Sequence, residues 1–223
     1  MIKIENAEVV GWGHAIRGMR NPMNSWDKSD SRYEIHYNSA EADRIWETVF
    51  NLGSNDLALM KKLAKAGTDH RKFMRMITVY VDVTAPLYWW KEADTYKVGT
   101  VRNSCSTMHK ITEKEFTLDD FSIDDFPFED DFIEINLSDC FKNVIADCEM
   151  YRQKYLETGD KKYWRGLIQL LPSSYNQRAT LMLNYEVLAN MYHSRKVHKL
   201  DEWREFCSWI ETLPYAKELI CGE

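Results

Sequence analysis

Two polar side chains stand out in the segment RATLMLNYEVLANMYHSRK at residues 178–196 because they fall in line with its apolar stripe. The spacing predicts a helix ending near Arg195, with Val187, Leu188 and Met191 as its buried stripe. Asn184 and Arg195 share that stripe. Eleven residues at ~100° each return to within about 20°, roughly 16 Å along the axis. A carboxamide and a guanidinium facing inward need partners, because an unpaired buried charge costs several kcal/mol. One candidate is an acidic residue such as Glu92 or Asp94; the other is a ligand.

A second candidate is VGTVRNSCSTM at residues 98–108, small and rich in hydroxyls. Side chains and backbone N–H groups there suit an anion or a nucleotide. Cys105 is a possible thiol nucleophile, but neither a base nor a positive helix end is evident beside it. The element that must position this loop is a strand in which Ile77, Val79, Val81 and Val83 alternate with Thr78, Tyr80, Asp82 and Thr84. That period of two, in mostly β-branched and aromatic residues, is the strongest strand signal in the chain. Pro86 ends the strand and suits the first position of a helix, LYWWKEADTYK.

The chain of 223 residues is 44% hydrophobic, with eight Trp, twelve Tyr and nine Phe, enough for a sizeable core. No Pro/Gly/Ser-rich linker divides it, so one domain over residues 1–223 is expected. A net charge of −6 argues against a broad phosphate-neutralising surface for extended nucleic acid. No signal-like opening and no membrane-length apolar run is present. Five cysteines without CxxC spacing point to free thiols, a cytoplasmic setting and no metal site.

Residues 1–10 suit a short strand. HAIRGMRNPMNSWDKSDSRYE reads as an irregular excursion, of the kind that is often a binding loop. Ser39 is placed to cap a helix AEADRIWETVFNLG, and Asn55 a second, DLALMKKLAKAG, stopped by Gly67. Residues 113–136 carry ten acidic residues against one lysine, interleaved with Phe116, Phe121, Phe126, Phe128 and Phe132. They read as a solvated acidic insert anchored by its phenylalanines, since the Asp-Asp pairs lack calcium-loop spacing. Further helices are expected from Ser138 to about Glu157, from Asp160 to Pro172, and over DEWREFCSWIETL.

These residues resemble the flavin-dependent thymidylate synthases. That family's hallmark run, Arg-His-Arg-x-x-Ser-x-Asn-x-x-Ser-x-Arg-Tyr, corresponds to Thr95-Tyr96-Lys97-Val98-Gly99-Thr100, then Val101-Arg102, then Asn103-Ser104-Cys105-Ser106-Thr107-Met108. Lys97 keeps the second positive charge and Thr100 the hydroxyl. Asn103 and Ser106 keep the Asn-x-x-Ser spacing, with one residue inserted ahead of them. His70 sits where the family has a histidine before its strand. Leu171-Pro172, Asn184 and Arg195 match a second family pattern without a gap.

The resemblance implies an α+β fold with a central, mostly antiparallel sheet flanked by helices. It implies FAD as cofactor and reductive methylation, or hydroxymethylation, of a dUMP-like pyrimidine deoxynucleotide. Methylenetetrahydrofolate would be the carbon donor and NADPH the reductant, in a homotetramer. By the same resemblance His70, Tyr96, Lys97, Thr100 and Asn184 face flavin. Glu92, Asn103, Ser106, Arg178 and Arg195 face the pyrimidine nucleotide, with Arg195 polarising the base and Ser106 bonded near it. Ser106 is not expected to act as a nucleophile, since no activating base is placed beside it. The departures matter too. Thr95, Tyr96 and Met108 replace two arginines and a histidine, and Ile168 a further arginine. Each lost charge-assisted phosphate contact is worth about 1.5–3 kcal/mol unless Arg102, Lys97 or Arg178 substitutes. A catalytically inactive nucleotide-binding or sequestering protein is therefore the alternative, and Glu92 in place of a glutamine suggests altered base choice.

Overall fold

The computed structural model describes residues 2–38, 45–124 and 137–222. Its strands are β1 (Lys3–Val10), β2 (Arg32–Asn38), β3 (Ile45–Asn51), β4 (Thr78–Pro86), β5 (Val101–Ser104) and β6 (Asn176–Asn184). Its helices are α1 (Trp12–Arg20), α2 (Ser54–Lys65), α3 (Leu87–Ala93), α4 (Thr107–Lys110), α5 (Leu137–Thr158), α6 (Lys161–Leu170), α7 (Tyr185–Arg195) and α8 (Asp201–Glu211). The architecture is the expected α+β one, an antiparallel sheet ordered β1-β4-β6-β5 with flanking helices. A separate antiparallel hairpin pairs β2 with β3, Arg32 opposite Asn51 and Tyr33 opposite Phe50. No described helix is long and apolar enough to cross a membrane.

Two compact units make up the chain. The first comprises Met1–Glu5, Asp82–Thr95 and Arg102–Thr180. Its core joins Phe141, Ile145 and Cys148 of α5 to Leu167 of α6, with Phe116 and Phe121 packed in. Of the five phenylalanines of the acidic stretch these two are buried; Phe126, Phe128 and Phe132 lie outside the described residues. Asp160 caps α6 by accepting from the Lys162 N–H at 3.0 Å. The helices approach closely at Gly166, where a β-carbon would lie 2.6 Å from the Tyr151 ring.

The second unit comprises Asn6–Val81, Tyr96–Val101 and Leu181–Glu223. Met60, Met74, Ile77, Leu183, Leu188, Trp203, Phe206 and Ile210 are among its fully buried side chains, with Tyr185. Buried valines at 79, 81 and 83 confirm the period read from β4.

Four stretches differ from expectation. The excursion after Val10 is not irregular: α1 forms there, burying Trp12, Ala15, Ile16 and Met19. The helix expected over 40–53 is replaced by β3, whose Ile45, Thr48, Val49 and Phe50 suit a strand; Ser39 lies outside the described residues. Part of the hydroxyl-rich loop is β5. Residues 176–184 are a strand, β6, so Asn184 and Arg195 bracket α7 rather than sharing a longer helix.

The α1–α2 region is held by a buried polar cluster. Arg20 donates from Nε to Asp56 at 2.6 Å, and its Nη atoms donate to the carbonyls of Ser25 and Lys28. The other Asp56 oxygen accepts from the hydroxyls of Ser29 and Ser31 and the amides of Asp30 and Ser31. Asp30 returns the exchange, accepting from the amides of Asn55 and Asp56. It does the capping expected of Asn55, and it needs Gly53, where a β-carbon would lie 2.1 Å from its carboxylate.

Burial alone would raise the Asp56 carboxyl, but bonds from Ser31, Ser29 and Arg20 outweigh it and hold the group below the usual carboxylate range. A folded value below the unfolded one stabilises the protein fully above about pH 4, and that stabilisation is lost as pH falls through the folded value. Asp56→Asn breaks a buried pair and is expected to cost about 3–5 kcal/mol near neutral pH, with a flattened acid limb; urea titrations across pH measure both. Gly11 precedes α1 at φ +95°, and a β-carbon there would lie 2.1 Å from the Met76 carbonyl oxygen. Gly11→Ala is expected to lose more than about 2 kcal/mol in the same assay.

Candidate functional site

β6 ends where Asn184 turns the chain into α7. Its Oδ1 accepts from the Val187 N–H at 3.0 Å, capping the helix, while Nδ2 points at the Gly99 carbonyl oxygen, 3.4 Å away. Gly99 is needed for that approach: its φ is +77°, and a β-carbon would lie 2.5 Å from Nδ2. Next to it, the Thr100 hydroxyl is buried without a hydrogen-bond partner among the described residues. Such an orphan is uncommon in folded proteins and calls for an explanation.

α7 runs from this corner to Arg195, whose Nε donates to the Tyr96 hydroxyl at 3.0 Å. The guanidinium carbon stands 5.6 Å from the Tyr96 ring centroid and 4.9 Å from that of the buried Trp203. Two aromatic faces thus orient one half-buried cation, a contact worth about 0.5–2 kcal/mol per ring. The nearby Cys207 thiol is pushed up to about 12 by burial and by Glu211 and Cys221, so it supplies no thiolate.

Five candidate residues therefore sit along one run of the second unit: Tyr96, Lys97 and Thr100 on the loop, Asn184 and Arg195 at the ends of α7. Lys97 and His70 are exposed, His70 in the turn that follows Gly67. Sequence reasoning missed its neighbour Arg71, which reaches the buried Glu186 of α7 at 3.2 Å. Alternating charge between residues 115 positions apart carries no periodic signal that would reveal such a pair.

In the first unit the remaining candidates are engaged differently. Arg102 lies 3.9 Å over the Trp90 ring, donating to Asp94 at 2.7 Å and to Gln177 at 2.5 Å. Gln177 in turn bonds the Cys105 carbonyl, and its own carbonyl accepts from the Trp90 indole. Asp94, one of the carboxylates considered for Arg195, is thus the partner of Arg102. Arg178 donates to Asp82 at 2.8 Å, beside the Thr180 hydroxyl on the same carboxylate. Ser106 caps α4, its Oγ accepting from the His109 N–H at 3.2 Å. Asn103 is exposed on β5, and Glu92 is partly buried on α3. Among the described residues no three His, Cys, Asp or Glu side chains converge as metal ligands would.

No protein-family model matches the sequence, and no curated relative does. Solved structures do. Two are of the flavin-dependent thymidylate synthase ThyX from Helicobacter pylori with FAD and dUMP. They match at TM-scores of 0.67 and 0.68 and 14% identity. The first match covers 98% of this chain and 97% of that one, the second 99% and 97%. A UMP/dUMP methylase, PolB, from Streptomyces cacaoi bound with 5-Br dUMP matches at a TM-score of 0.60 and 12% identity, over 100% and 93% of the two chains. The chain has the ThyX-like fold of the flavin-dependent thymidylate synthases, carried by a highly divergent sequence.

Proposed function

We propose that the protein is an FAD-dependent methylase, or hydroxymethylase, of a dUMP-like pyrimidine deoxynucleotide, with methylenetetrahydrofolate as carbon donor and NADPH as reductant. The observation that carries this reading is the Asn184–Arg195 bracket around α7, with a positioned guanidinium at one end and an unsatisfied Thr100 hydroxyl at the other. A flavin fits this set. Asn184 uses its oxygen as a helix cap but keeps a second amide hydrogen for a ring carbonyl, and Thr100 offers a hydroxyl. FAD, when bound, supplies the hydride chemistry.

The chain's own residues do the rest. Asn184 and Thr100 orient, and Tyr96 and Trp203 hold the Arg195 guanidinium where negative charge develops on a pyrimidine carbonyl, so that little reorganisation is needed. Lys97 is proposed to bind the flavin, with His70 meeting it from the turn before β4; Glu92, Asn103 and Ser106, on the first unit, are proposed as nucleotide ligands. A homotetramer is proposed with this reading.

One observation favours the second reading, a nucleotide-binding protein without catalysis. Arg102 and Arg178, two of the three cations available to replace the lost phosphate ligands, each bond a carboxylate. The absorbance spectrum separates the two. A yellow protein that bleaches with NADPH under anaerobic conditions is the expected result; a colourless protein that co-purifies with nucleotide supports the alternative. In the active case Arg195→Gln is expected to lower turnover by about 10²–10³-fold with flavin retained, since it removes a donor that matters most in the transition state. Tyr96→Phe, which keeps the ring and loses the bond, is expected to fall between the two in a steady-state assay.

A further inference from the structure

The second unit holds a cavity of ≈ 350 Å³ that shares no lining residue with the Asn184–Arg195 site. Its size is in the range of small-molecule sites. Ile16 and Phe50 contribute apolar lining, and Trp26 and Tyr33 aromatic lining. Both of these rings are held although half exposed. The Trp26 indole N–H donates to Asn21 at 2.8 Å, and the Tyr33 ring packs on Phe50 with centroids 5.0 Å apart. Tyr33 also lies against Gly13, where a β-carbon would come within 3.1 Å of the ring. The polar side is rigid as well, since Ser29, Ser31 and Arg20 are tied into the Asp56 cluster.

Charge sets the ligand class. Arg17, Arg20 and Arg32 line the cavity, and among the described residues no acidic one does. Asp56 neutralises Arg20, and Glu34 pairs with Arg32. Arg17 has no carboxylate: among the described residues its side chain meets the His14 ring nitrogen at 3.1 Å. Of the three arginines in the lining, Arg17 alone therefore has no carboxylate among the described residues, in a chain whose net charge is −6. We propose that this pocket binds a planar aromatic molecule carrying one anionic group, a carboxylate or a phosphate, the ring between Trp26 and Tyr33 and the anion on Arg17. Stacking and a charge-assisted hydrogen bond would divide the recognition. The pocket stands on its own residues and does not rest on the flavin reading.

Calorimetric titration of the full chain with 2-naphthoate, and separately with AMP, tests it. The expected result is 1:1 binding of at least one probe, weakened about tenfold or more by Arg17→Gln and by Trp26→Ala, and unchanged by Arg195→Gln. Neutral 2-naphthalenemethanol should bind weakly and equally to the wild type and Arg17→Gln. Tighter binding of naphthoate assigns an aryl carboxylate, tighter AMP a nucleotide phosphate. Both substitutions are at exposed positions, so unchanged thermal midpoints verify the fold. No binding of either probe, or binding indifferent to Arg17→Gln and Trp26→Ala, overturns the proposal.

Discussion

The carboxamide of Asn184 is the constraint on which the candidate site depends. It closes a strand, caps a helix through Val187, and sits so close to Gly99 that no side chain fits there. A single group thus sets where α7 starts, which way it runs, and how near the 95–100 loop can come. The direction of α7 then delivers Arg195 to Tyr96 and Trp203. Asparagine suits this corner because it accepts and donates at once, which neither aspartate nor leucine does. The cost of a poor cap, about 0.5–2 kcal/mol, is small beside the loss of alignment.

Arginine placement separates this chain from what its fold leads one to expect. Arg102 is stacked on Trp90 and bonded to Asp94 and Gln177, so it braces β5 against α3 and β6 within the first unit. Arg178 is bonded to Asp82. A guanidinium committed to a carboxylate presents less charge to an anion, because binding a phosphate there would need the existing partner to be displaced. Fold and site chemistry are therefore separable questions in this molecule.

Much of the architecture was legible where one period dominates. β4 is clear because its valines alternate with polar residues, and α6 because Asp160 and Pro172 mark its limits. β6 was hidden by its own composition: Ala179, Leu181 and Leu183 alternate with Arg178, Thr180 and Met182, yet the strand runs into a true helix with no glycine or proline between. β3 was masked by an upstream serine that looked like a helix cap. The spacing singled out Asn184 and Arg195 but placed them on one helix, where a strand in fact ends at Asn184; the Tyr96 partner of Arg195, 99 residues away, left no local pattern. Nor did the pairing of Arg20 with Asp56, a long-range ion pair.

The exchange between Asp30 and Asp56 has one more consequence. The Gly53 amide donates to the Ser31 hydroxyl at 2.9 Å, so the chain returns at residue 53 to the place it left at residue 31. The paired strands β2 and β3 between those points form a detour whose base is fastened by groups outside it. Such a detour can lengthen, shorten or be exchanged during evolution while the body keeps its form. The aromatic pocket takes Tyr33 and Phe50 from that detour and Trp26 from the body, so its selectivity can drift independently of the helices that carry Asn184 and Arg195.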